Sequence, residues 1–271
     1  MSDARSKTRS PLVRVATLNI LNDLTHWPER AQLIVKELRA LQPDLIALQE
    51  VALPANNARW IADRVGDYTV YLSPKAGQRG RREGLAILSR LPVEAHETLS
   101  LGGQGRVAQR VTIRHRHAHW TFVNAHLYWS LFDDAVRRRQ VRRLLDWLSV
   151  GPPAVVCGDF NAQPHYTAIA AMRRRFVSAH ATVHGREPEY TCPTPLHRGS
   201  GARQTARRAA LRLGGLLLKG ERTAWRGTLD YIFVDRSVRV HHCGVAFHGH
   251  APHNPRLYPS DHLGLAATLQ P

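Results

Sequence analysis

The chain has 271 residues and is 43% hydrophobic, enough for a core that removes roughly 70–75% of the unfolded surface from water, and no run reaches the ~20 consecutive apolar residues of a membrane span. Lys and Arg number 38 against 21 Asp and Glu, a formal charge of +17, which favours phosphate-rich partners: nucleic acid, a lipid headgroup or a nucleotide. Cys157, Cys192 and Cys243 are odd in number and lack metal-type spacing, which sets aside a disulfide framework and leads us to expect a soluble, cytoplasmic protein.

Met1 to Ser10 is short, polar and basic and reads as a flexible N-terminus, so residues 11–271 are expected to form one domain. A β-like run, Leu12 to Leu18, is followed by a helical pattern from Trp27 to Leu41 and a second run, Asp44 to Leu48. Further strands are predicted at Asp67 to Leu72, Gly84 to Leu88, Val107 to Ile113, Trp120 to Asn124, Ala154 to Cys157, Thr228 to Val234, Val238 to Phe247 and Leu263 to Leu269. Helices are predicted at Ala55 to Val65, Asp133 to Leu148 and Pro164 to Arg175, the last opening with a proline whose missing N–H is harmless there. Many strands with few helices predict packed sheets flanked by helices. Between about 180 and 227 the rhythm fails under Pro, Gly, Arg and Thr, with only Ala202 to Leu213 resembling a basic amphipathic helix, so this stretch reads as an insertion or lid.

Chemistry-bearing residues sit beside apolar strand runs: Thr17-Leu18-Asn19, Leu48-Gln49-Glu50, Asn124-Ala125-His126, Gly158-Asp159-Phe160-Asn161, Leu229-Asp230-Tyr231 and Ser260-Asp261-His262. Carboxylates, amides and imidazoles at strand ends supply what phosphate ester hydrolysis requires: a cation, a positioned water and a charge stabiliser for the leaving oxygen. Each has a plainer reading. Glu50 alone would pass for a capping or surface carboxylate, Asp159 and Asn161 for an Asx turn, and His126 for a structural histidine.

Taken together and in this order, the six segments resemble the endonuclease/exonuclease/phosphatase superfamily across nearly the whole chain. The resemblance implies an α/β fold, a four-layer α/β sandwich of two packed mixed β-sheets flanked by helices. It implies that Glu50 is the principal metal carboxylate, with Asn19 and Asp261 completing the surroundings of Mg²⁺ or Mn²⁺. Asp159 and Asn161 resemble the pair that orients the attacking water, and His262 with Asp230 resembles the family's His–Asp pair. His126 resembles the second histidine of the deoxyribonuclease and deadenylase branches, with Glu83 as its acidic partner. Local likeness is to the deadenylase and 2′,5′-phosphodiesterase branch, in Glu83-Gly84-Leu85-Ala86, Asn124-Ala125-His126-Leu127-Tyr128-Trp129, Gly227 to Phe233 and Pro259 to His262.

Tyr128 and Trp129 would stack a base or form a hydrophobic rim, and Arg203 and Arg207 of the insertion would grip a phosphate backbone or an anionic membrane. His241, His242, His248, His250 and His253 fit no closed zinc spacing. The expected function is a divalent-metal-dependent nuclease. Hydrolysis of a small-molecule or lipid phosphate ester is the second reading, and an inactive nucleic-acid-binding scaffold the third. No protein partner is implied.

Overall fold

The computed structural model describes residues 12–115, 118–130, 134–196 and 225–270. Among these, twelve strands form two six-stranded sheets. The first has the order β11-β12-β1-β2-β4-β3, with β1 (Val13–Asn19), β2 (Leu45–Ala52), β3 (Thr69–Pro74), β4 (Glu83–Ser89), β11 (Arg239–Ala246) and β12 (Gly264–Gln270). The second runs β5-β6-β7-β8-β10-β9, with β5 (Val93–Gly102), β6 (Arg106–His115), β7 (Ala118–His126), β8 (Ala154–Asp159), β9 (Phe176–Ser178) and β10 (Asp230–Asp235). Both sheets are mixed: β1 with β2 and β7 with β8 pair parallel, while their other pairings are antiparallel.

Three apolar clusters define the layers. Val13, Val15, Leu45, Ala47, Trp120 and Phe122 meet Val155, Cys157, Ile232 and Val234 between the sheets. Helices α1 (Trp27–Leu41) and α2 (Asn57–Val65) cover the first sheet through Ile34, Leu38 and Ile61, while α3 (Ala135–Trp147) and α4 (Thr167–Arg175) cover the second through Val141, Leu144, Ile169 and Met172. This is the expected four-layer sandwich. Each fully buried Leu, Ile or Phe contributes about 1.5–3 kcal/mol to holding the layers together.

Strands β5 and β9 and helix α5 (Ala179–His184) depart from the expected elements. Strand β5 is a sheet edge whose side chains are mostly exposed or half-buried, so its sequence carries little alternation to read. Strand β9 has three residues, too few for any period, and α5 is a short helix capped by the Ser178 hydroxyl, which accepts from Ala181 N. Helix α4 begins at Thr167 rather than Pro164, because residues 163–166 form a turn closed by Tyr166 N donating to Gln163 O. The proposed Ala202 to Leu213 helix and the basic N-terminus lie outside the described residues. No helix among the described residues is long and apolar enough to cross a membrane.

Candidate active site

Strand periodicity assembles the site. Side chains alternate faces along a strand, so the parity that sends Val13 and Val15 into the inter-sheet core sends Asn19 there too. The same holds for His126 after Trp120 and Phe122, for Asp159 after Val155 and Cys157, and for Asp230 ahead of Ile232 and Val234. Cross-strand register brings them level: His126 and Asp230 are each the Cα partner of Asp159. Four chemistry-bearing strand ends therefore converge at one edge of the inter-sheet layer.

Glu50 breaks parity. Leu45, Ala47 and Gln49 face the other sheet, so Glu50 should point towards the helices. A register shift between Leu48 and Val51 and a left-handed backbone at Glu50 (φ 58°) turn it back to the site. Its Oε1 accepts from Asn19 Nδ2 at 3.2 Å and its Oε2 from Asn22 N at 3.0 Å.

Asp159 is the hub. Its Oδ1 accepts from Asn161 N at 2.8 Å, which is the anticipated Asx turn, and its Oδ2 accepts from Asn19 Nδ2 at 3.1 Å. The same Oδ2 lies 3.4 Å from His126 Nε2 and 3.9 Å from His262 Nε2. Burial pushes its carboxyl up to about 7, against the pull of His262 and with the help of neighbouring Asp230. Asn161, left-handed at φ 48°, donates through Nδ2 to Leu127 O, so turn and site geometry coincide.

His262 donates from Nδ1 to Asp230 Oδ2 at 2.9 Å, and Thr191 Oγ1 donates to the same oxygen at 2.6 Å. Burial opposes a charge on this imidazole, but the Cys192 sulfur, Asp230, Asp159 and Asp261 outweigh it and hold His262 well above its ordinary range. Arg30, buried on α1, donates through Nε to Pro259 O and through Nη2 to Ile20 O, tying the loop before β12 to the loop after β1.

His126 has an unexpected neighbour. Arg106 Nη1 donates to His126 Nδ1 at 2.7 Å and lies 3.8 Å from Glu83, which itself pairs with buried Lys75. The expected Glu83–His126 pair is therefore relayed by an arginine, since Glu83 stands on the first sheet and Arg106 on β6 reaches between them. With Nδ1 accepting, the imidazole is neutral and carries its proton on Nε2. Burial and the charges of Arg106, Lys75 and His262 hold it well below its ordinary range. Sequence reasoning missed Arg106, Lys75 and Thr191; a cation at the start of β6 and one just after β3, both buried, are the signal that single-residue reading passes over, and Thr191 carries none.

Asn19 Oδ1 accepts from Leu21 N at 3.0 Å, so its amide presents nitrogen to the two carboxylates; the oxygen reaches a cation only if that bond yields. The Asp261 carboxylate lies among Cys192 and His262. Tyr128 is half-buried and Trp129 is 55% exposed, at the end of β7 beyond His126. Arg203 and Arg207 lie outside the described residues.

The Glu50 and Asp159 carboxylates, bridged by the Asn19 amide nitrogen, are hard oxygen donors of the kind that suits a divalent cation, whereas Asp261 groups with Cys192 and His262 instead. Two buried polar atoms facing the site, His126 Nε2 and Asp230 Oδ1, make no hydrogen bond. Such atoms are costly unless a ligand or water meets them.

Solved structures share this architecture. The human Nocturnin catalytic domain with bound sulfate superposes with a TM-score of 0.70 at 23% identity, covering 97% of this chain and 95% of that one. A D. rerio TDP2 complexed with a single-strand DNA product gives 0.77 at 16% identity, covering 97% and 100%. In sequence, Nocturnin of Drosophila melanogaster is 26% identical over 278 residues, spanning 90% of this chain and 42% of its own length. Protein angel of the same organism is 26% identical over 201 residues, 66% of this chain and 54% of its own. The chain thus spans about half the length of the curated relatives it matches. The Endonuclease/Exonuclease/phosphatase family profile matches residues 16–262, a stretch that begins inside β1 and ends on His262, so the chain belongs to that family.

Proposed function

We propose that this chain is a divalent-cation-dependent phosphodiesterase acting on nucleic acid. The observation that carries the reading is the convergence of His126 Nε2 and His262 Nε2 on Asp159 Oδ2, with the His126 donor buried and unsatisfied. A phosphate oxygen supplies what that donor lacks.

Glu50, with Asn19 and Asp261, would hold Mg²⁺ or Mn²⁺, which would supply neutralisation of phosphate charge. Asp159 and Asn161 position the water, and Asp159, raised towards neutrality by burial, accepts its proton. The water oxygen bonds to phosphorus as the ester P–O bond breaks, and the leaving oxygen departs as the alcohol, its proton taken from solvent. His262, kept cationic and oriented by Asp230, donates to the phosphoryl oxygens, and neutral His126 donates through Nε2–H. The charge of +17 and the single-strand DNA product on the D. rerio TDP2 favour a polyanionic substrate.

The test is cleavage of an end-labelled RNA with a 3′ oligoadenylate tail in Mg²⁺, with EDTA, Asp261→Ala and Asp159→Asn as controls, and single-stranded DNA in parallel. Cleavage of either strand that all three controls abolish is expected. Intact polynucleotides alongside hydrolysis of inositol phosphates or sphingomyelin would move the substrate to the small-molecule and lipid class, and undiminished Asp261→Ala activity would overturn the site assignment.

A further inference from the structure

The Thr191-Cys192-Pro193-Thr194 segment is stapled to the loop that carries Asp261 and His262. Leu263 N donates to Thr191 O at 2.7 Å, Thr194 N to Asp261 O at 2.8 Å, and the Thr194 hydroxyl to Ser260 O at 2.6 Å. On its other side Cys192 exchanges both backbone hydrogen bonds with Gly227, at 3.1 and 2.8 Å. The Cys192 side chain is thereby fixed against the site. Its sulfur, one Asp261 carboxylate oxygen and one His262 ring nitrogen all lie within 4.8 Å of one another, and all three residues are buried.

This trio differs in kind from the oxygen-rich surroundings of Glu50. A thiolate is a soft ligand, and sulfur with imidazole and one carboxylate selects Zn²⁺ over Mg²⁺. The second sphere is in place as well. His262 Nδ1 is committed to Asp230, which is in turn held by Thr191, so the ring is oriented, and a metal that spares this bond takes Nε2. Donors around a tetrahedral zinc stand about 3.3–3.8 Å apart given metal bonds of about 2.0–2.3 Å, so shifts of about 1 Å close the trio on an ion.

We propose that Cys192, Asp261 and His262 form a Zn²⁺ site whose occupancy silences the enzyme. Binding converts the Cys192 thiol to zinc thiolate and displaces the Nε2 proton of the His262 imidazolium, and both protons pass to solvent. It also takes His262 Nε2 away from Asp159, and that consequence for turnover rests on the hydrolase reading above. The binding itself stands on the geometry alone.

The experiment is a titration of the whole chain with Co²⁺ alone, read by the thiolate-to-cobalt charge-transfer absorption, followed by Zn²⁺ as competitor. The wild type should show the band and lose it on adding Zn²⁺. Cys192→Ala and Cys192→Ser should lack it and bind Zn²⁺ about 100-fold or more weakly, beyond the 10–100-fold cost of losing an outer-sphere partner. Cys243→Ala, whose thiol lies in the inter-sheet core, should keep it. No band in the wild type overturns the proposal whatever the variants do, and so does an undiminished band in either folded Cys192 variant. A band that depends on Cys192 in a protein that hydrolyses nothing would uphold the zinc site and sink the hydrolase reading instead.

Discussion

At the scale of single residues, Asp230 bears on His262 through one oxygen. Its Oδ2 accepts from both His262 Nδ1 and Thr191 Oγ1, so the imidazole is held in one tautomer and one orientation. Asp230→Asn keeps the shape but places an amide where a carboxylate oxygen accepted two hydrogen bonds. By analogy with triads whose orienting carboxylate is amidated, turnover should fall by about 10³–10⁴-fold with little change in KM. Steady-state kinetics on whichever polynucleotide is cleaved measures this; a drop smaller than tenfold would remove Asp230 from the mechanism. The residues that the structure brings together were legible in sequence where a motif lay at or beside a strand end, as with Asp159 at the end of β8 and His262 just before β12. Glu83 shows the limit. Its cations come from both sheets, Lys75 just after neighbouring β3 and Arg106 on β6, 23 positions further along the chain.

At the scale of elements, the two sheets are joined beneath the site by polar groups as well as apolar ones. Asn124 on β7 donates through Nδ2 to Leu48 O and Ala86 O, at 2.9 Å each, and its Oδ1 accepts from Gln49 Nε2 at 2.7 Å. All three partners belong to the opposite sheet, so the side chain pins β7 to β2 and β4. Replacing it with Leu removes the amide donor from two buried carbonyls, each costing about 1–3 kcal/mol when left unmade, while Gln49 Nε2 keeps Thr17 Oγ1 and Ala47 O as acceptors. Urea denaturation of Asn124→Leu should therefore show a loss of about 3–5 kcal/mol, and a loss under 1 kcal/mol would mean the carbonyls find other partners. Central strands such as β8 were readable because both faces are buried and the run is continuously apolar. Edge strand β5 was not, since half of it answers to solvent, and the bulge that aims Glu50 is invisible in a sequence whose alternation places that side chain on the wrong face.

At the scale of the whole molecule, charge and catalytic geometry make separable demands. The chemistry sits in a buried cluster where solvent ions screen weakly, whereas the excess of Lys and Arg lies along the whole chain and acts over a Debye length of about 10 Å at 0.1 M salt. Long polyanions should feel both, and short diesters only the first. Affinity for a single-stranded oligonucleotide should then fall linearly on a log–log plot against salt, by about 10³–10⁵ between 50 and 200 mM if six to ten phosphates are engaged. Under the same change, turnover of a one-phosphate diester should move by less than about threefold, because it displaces few counterions. Fluorescence anisotropy beside a chromogenic diester assay reads both in one buffer series. Equal salt sensitivity of the two would place the charge inside the catalytic step, while a flat oligonucleotide curve would mean that the surplus cations solvate the surface without meeting substrate.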